Sequence, residues 1–170
     1  MMEIFFRITD RPSDLSYSKL SELEEEVQDI EGYFLVKIDS WEYGFSHDRP
    51  LAPGETGLFS IVIWFQQFLD AICILNAGRT FAAISDIETS SIWLSFEQKD
   101  DLITVSEIET KSPKLALDEK PAKFKLLSQA SSPVPFAEFK KEVWEKTTQL
   151  IRELVAINPL FEEHFCVRNL

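Results

Sequence analysis

The sequence predicts an α+β fold: a mainly antiparallel sheet, in the order β-α-β-β-α-β-β-β-α, with long helices packed on one face. Three observations lead there. Several segments alternate apolar and polar residues at the strand period of two. The connections between most of them are too short for anything but hairpins. Two long segments instead repeat apolar residues at helical spacing. The chain has 170 residues, 45% of them apolar, with 14 Phe and 4 Trp. That is enough for one domain over residues 1–170 with an aromatic-rich core.

The elements follow in order. Ile4, Phe6 and Ile8 alternate with Glu3, Arg7 and Thr9, which predicts a strand over 3–9. Pro12 ends it, and Leu20, Leu23, Val27 and Ile30 then mark an amphipathic helix starting near Ser16 to Ser18. Tyr33 to Phe45 reads as a hairpin turning at Asp39-Ser40. Phe34, Val36 and Ile38 lie on one face, and Trp41, Tyr43 and Phe45 share a face of the return strand. Ser46 to Gly57 is a loop containing Pro50, Pro53 and Gly54. The apolar run Leu58 to Leu75 approaches bilayer-spanning length, but Gln66, Gln67 and Asp70 interrupt it and no basic flank accompanies it. It reads as a central buried helix, stopped at Asn76-Ala77-Gly78, with Cys73 as a small core residue. Phe81 to Ile87, Ile92 to Glu97 and Leu102 to Ile108 form a strand meander. Residues 110–135, rich in Pro, Lys and Ser, form a long connection that includes a short strand at Lys123 to Leu127. The last helix spans Phe136 to Ile157, opened by Pro135 and closed by Asn158-Pro159. Its breadth of apolar positions places Trp144 and Ile151 in the core with Trp64, Phe68, Ile72 and Leu154.

Charge narrows the function classes. The formal net is −12, distributed as −7 over residues 1–50, −7 over 51–110 and +2 over 111–170. An acidic surface repels phosphate backbones and anionic lipid, so neither nucleic acid nor membrane is an expected partner. It favours solubility and attracts basic proteins. Two separated cysteines, Cys73 and Cys166, form no disulfide framework or metal spacing, and the N-terminus shows no signal-peptide pattern. A cytoplasmic location is the expectation.

No phosphate-binding loop, nucleophile elbow, zinc motif or dinucleotide fingerprint occurs, and there are only five glycines and two histidines, His47 and His164. No cofactor and no metal is therefore expected. Four groups of residues remain as sites. His47, in a polar loop, has the chemistry of a general base, although a lone loop histidine is usually only polar surface. Asp86 and Glu88 share a face at a strand end and could hold a metal or do acid–base work, or simply be turn residues. The aromatic row headed by Trp41 and Tyr43 either packs in the core or lines a binding groove. Residues 20–31 carry six carboxylates, Glu22, Glu24, Glu25, Glu26, Asp29 and Glu31, and no base. Repulsion along such a helix costs a few tenths of a kcal/mol per pair, so its retention hints at a basic partner, against the reading of a solvated face.

Gly32-Tyr33-Phe34-Leu35-Val36-Lys37-Ile38-Asp39, then Tyr43-Gly44-Phe45, Trp64-Phe65, Leu69, Gly78, Ala83-Ile84-Ser85-Asp86-Ile87-Glu88 and Trp93-Leu94-Ser95-Phe96, resembles a pattern in small, uncharacterised bacterial proteins. Some of these look like immunity proteins of polymorphic toxin systems. The resemblance covers about residues 30–110 and transfers no functional residue. It implies a stoichiometric inhibitor of a toxin protein. The expectation is thus a non-enzymatic protein-binding module, an immunity-type inhibitor of a basic partner, contacted by Glu22, Glu25, Glu26, Asp29, Trp41 and Tyr43. The alternative is a small enzyme or ligand-binding domain using His47, Asp86 and Glu88 beside the sheet.

Overall fold

A computed structural model describes residues 1–27, 30–86, 89, 91–112 and 116–163, with the backbone alone at positions 24 and 26. Strand β1 spans Met2–Ile8, helix α1 Leu20–Glu26, β2 Glu31–Ile38, β3 Trp41–Phe45 and β4 Phe59–Ser60. Helix α2 spans Ile61–Asn76, followed by β5 Phe81–Ser85, β6 Ile92–Lys99 and β7 Leu102–Glu109. The short strands β8 Ala116–Leu117, β9 Lys125–Gln129 and β10 Val134–Pro135 precede helix α3, Phe136–Ile157. The class is α+β with antiparallel sheets. α1 has only seven residues, so "long" describes α2 and α3 alone.

The strands form two sheets where the sequence predicts one. β1, β2 and β3 lie in that order, with β4 also on β2, and the second sheet runs β10-β7-β6-β5-β8 with β9 on β7. The meander pairs in register from Ser85 opposite Trp93 to Phe81 opposite Glu97, and from Ile92 opposite Glu109 to Lys99 opposite Leu102. The 110–135 connection supplies the short strands β8, β9 and β10 of the second sheet. In the first sheet, Thr9 N–H donates to Glu31 O at one end and the Met1 ammonium pairs with Asp39 at the other. β1 therefore runs antiparallel to β2.

The chain divides into two compact units, each assembled from three stretches: 1–3, 36–43 and 67–143, and 4–35, 44–66 and 144–170. In the first, Phe68 of α2 packs edge-on to Phe96 of β6 (5.8 Å between centroids) and against Phe139 of α3 (6.1 Å). Phe81, Ala83, Trp93 and Ile108 form a cluster with Leu117 against it. In the second, Phe34 of β2 stacks on Trp64 of α2 at 5.2 Å and meets Phe65 edge-on at 5.9 Å. Aromatic pairs in these geometries add stabilisation beyond the area they bury. α2 ends as expected: Gly78 takes φ +87 and its N–H reaches Leu75 O. Among the described residues no helix is long and apolar enough to cross a membrane.

Several core expectations need correction. Trp64, Phe68 and Leu154 are fully buried, but Ile72 and Ile151 are only half-buried. Trp144 is 62% exposed. The buried stripe of α3 is Phe139, Val143, Thr147, Leu150 and Leu154, spaced at intervals of three and four. Trp144 lies one residue, about 100° of helix, off that stripe. Cys73 is likewise exposed, on the outer side of α2 near Asp70 and Asn76, and is no core residue.

Candidate functional site

The aromatic row of β3 does not keep one face. Gly44 takes φ +92, and a Cβ there would collide with Phe34 O. Only glycine fits this kink, which interrupts the strand alternation. Trp41 is consequently half-buried and Tyr43 buried, while Phe45 is 47% exposed with its ring against Tyr33 and His47.

In the first unit, Trp41 and Tyr43 stack 6.3 Å apart and each is tied by its polar atom. Tyr43 Oη–H donates to Asp86 Oδ2 at 3.0 Å. Trp41 Nε1–H donates to Ser128 Oγ at 3.0 Å, and Ser128 Oγ–H donates to Glu107 Oε2 at 2.9 Å. Glu107 and Ser128 are register partners on β7 and β9, which brings these last two side chains together. Burial, then the Asp86 charge and hydrogen bond, then Glu107, push the Tyr43 phenol far above its ordinary value. The phenol thus stays protonated and acts as a donor to a carboxylate. Both carboxylates accept internal hydrogen bonds, so this is chiefly a tie between the hairpin and the meander. Glu88 lies outside the described residues.

His47 belongs to a different cluster, in the second unit. Glu55 stands at its centre. Arg49 grips the Glu55 carboxylate bidentately, both bonds 2.7 Å, and Ala52 N–H and Tyr33 Oη–H donate to it at 2.8 and 2.7 Å. His47 Nε2 lies 3.0 Å from the same carboxylate, and the His47 and Tyr33 rings pack at 4.6 Å. A carboxylate accepts only, so Nε2 carries the proton toward Glu55. The other nitrogen, Nδ1, is buried away from solvent. His47 thus packs within this loop with Nε2 on Glu55 and Nδ1 covered. Arg7 of β1 completes the arrangement by donating to His47 O and Arg49 O. Arg49 first, then the Ala52 N–H and Tyr33, hold the Glu55 carboxyl well below the usual carboxylate range. The Glu55 hydrogen bond in turn raises the Tyr33 phenol.

The expected behaviour in acid follows from the sign of that shift. A carboxyl depressed in the folded state contributes stability fully present above the ordinary carboxylate value of about 4.3 and lost progressively below it. Glu55→Gln should therefore speed backbone hydrogen exchange across residues 46–57 at neutral pH while leaving β6 and β7 protected. Exchange read peptide by peptide checks this, and unchanged rates in the loop would contradict it.

A third feature left no sequence signal. Gly78, Arg79, Thr80, Phe81, Glu97, Asp118, Glu119 and Lys120 line a cleft of about 320 Å³ at the C-terminal end of α2. Its charges are paired across it: Arg79 with Asp118 at 3.3 Å and Lys120 with Glu97 at 2.7 Å. On α1, Glu22 is exposed and accepts from Ser18 N–H and Oγ–H at 3.1 and 3.0 Å, and Glu25 is exposed. The Glu26 side chain and Asp29 lie outside what is described, as do His164 and Cys166. Among the described residues no three His, Cys, Asp or Glu side chains are grouped to hold a metal ion.

Fold and sites together define an α+β protein with antiparallel sheets whose most polar clusters are satisfied internally. No protein-family model, no curated protein and no solved structure matches this chain.

Proposed function

We propose that this chain is a non-catalytic protein-binding module, an immunity-type inhibitor of a basic partner protein in the cytoplasm. The observation that carries the reading is charge: a net of −12, with −14 accumulated over residues 1–110, and Glu22 and Glu25 exposed on a helix with no basic residue in its last turn. Such a surface raises the encounter rate with a cationic protein and repels nucleic acid. The internal engagement of His47 and of Asp86 supports the same reading, because a general base must be able to reach a substrate proton. Trp41 and Tyr43, half-buried and buried, support the hairpin from within; the partner is engaged by α1 and by exposed groups.

The test is kinetic. Glu22→Lys combined with Glu25→Lys should change stability by no more than about 0.5 kcal/mol, apart from the loss of the Ser18 contacts. Association with the partner should slow, and its salt dependence should flatten, because screening acts over about 8–10 Å at moderate salt. Association rates measured across a salt series on both proteins decide it. Equal rates and equal slopes would return α1 to a solvated surface.

A further inference from the structure

We infer that, within the second unit, the outer face of residues 4–8 of β1 and 31–35 of β2, together with the loop folded on it, is the surface that docks the basic partner; this rests on the function proposed above. Ile4 and Phe6 of β1 turn inward, Ile4 fully buried and Phe6 edge-on to Phe65. The strand period then puts Phe5 and Arg7 on the opposite face. Arg7 and Tyr33 both meet the 45–57 loop, so that loop lies on this face. Phe45 packs on Tyr33 there. Leu58 precedes Phe59, whose ring lies against Phe34 and Trp64, and so takes the outer side too. Phe5, Phe45 and Leu58 are 41, 47 and 56% exposed.

The loop is held by contacts of its own. Its stems abut β2 two residues apart: Gly44 against Phe34 O, and Gly57 against the Gly32 backbone, where a Cβ would collide. Between them Glu55 collects Arg49, His47, Tyr33 and Ala52. A loop with adjacent ends, packed by its own side chains, is the Ω-loop arrangement that often carries function. A segment fixed in one conformation also loses little entropy on binding.

Charge selects the occupant. Arg49 is neutralised by Glu55, and Arg7 is spent on loop carbonyls and offset by the exposed Asp48. The strand period also puts Glu31 on the side of Tyr33, so the exposed apolar side chains stand among more carboxylates (Glu31, Asp48, Glu55) than cations (Arg7, Arg49) on a chain of −12, an apolar centre with a charged surround as in protein interfaces. A second copy would bring −12 against −12. A cationic protein presenting an apolar contact is complementary to both parts.

The experiment immobilises the full chain and its Phe5→Asp, Phe45→Asp and Glu22→Lys/Glu25→Lys variants against host lysate at low salt. The protein captured by wild type is identified by mass spectrometry, purified and titrated against each variant, with circular dichroism verifying the folds. Phe5→Asp, which removes no ring contact among the described residues, guards against misfolding of the Phe45 variant. The expected result is one stoichiometric basic protein, bound at least about tenfold more weakly by both Phe variants through faster dissociation. The charge-reversed variant should instead slow association. Affinities of both Phe variants within about twofold of wild type overturn this inference while leaving the proposed function standing. Capture of no stoichiometric partner overturns both. Self-association of wild type in sedimentation, abolished by Phe45→Asp, makes the occupant a second copy and overturns the assignment.

Discussion

Replacing Phe68 by alanine is expected to lower the unfolding free energy by about 3–5 kcal/mol. The ring is fully buried where α2 meets both Phe96 and Phe139, so truncation forfeits two aromatic contacts and leaves a cavity among elements from distant parts of the chain. Trp144→Ala serves as the control. That side chain is larger, but its exposure predicts a change of about 0.5 kcal/mol or less. Denaturant midpoints of the two variants against wild type check the pair. Similar losses in both would mean that the buried side of α3 has been assigned wrongly.

The second large effect lies at the hairpin. Tyr43→Phe removes the donor to Asp86 and is expected to cost about 1.5–3 kcal/mol at pH 7, the range for a hydrogen bond to a charged group. A phenol raised in the folded state contributes stability that is complete below the unfolded value of about 10 and is lost as pH rises beyond it. Wild type should therefore lose stability on going from pH 9 to pH 11, and Tyr43→Phe should lose less. Absorbance near 295 nm should show fewer phenolates in the folded protein at pH 11 than in denaturant. Full ionisation of all three tyrosines without unfolding would contradict the buried phenol.

Local chemistry made some of this fold legible. The last helix is bounded by Pro135 and Asn158-Pro159, and the structure places α3 at Phe136–Ile157. Asn158 stops it by donating its side-chain amide to Leu15 O and Tyr17 O while accepting from Leu160 N–H. The turns at Asp39 and Asp100 use residues that tolerate positive φ. Other features needed distance information. α2 is apolar nearly all round, so periodicity could not show that Cys73 faces outward. α3 has two apolar sides, and burial of Thr147 between Val143 and Leu150 is what fixes the inner one. Two-residue strands such as β4, β8 and β10 are too short to show a period, and the division of the strands between two sheets rests on pairings that alternation does not encode. Of the sites, Asp86 accepts from Tyr43, a pairing across 43 residues of sequence that no local pattern encodes. Glu55 was missed altogether. Its donors come from β2 and its own loop, and only the opposite charges of Arg49 and Glu55 around Pro50 and Pro53 hinted at it.

Whether this acidic chain works by binding a basic protein is decided by native mass spectrometry of the protein isolated gently from its host at low salt. A complex holding one copy of this chain and one copy of a basic protein is expected, falling apart as ionic strength rises. A chain that stays alone at every salt concentration, or one whose companion is acidic and insensitive to salt, would contradict it.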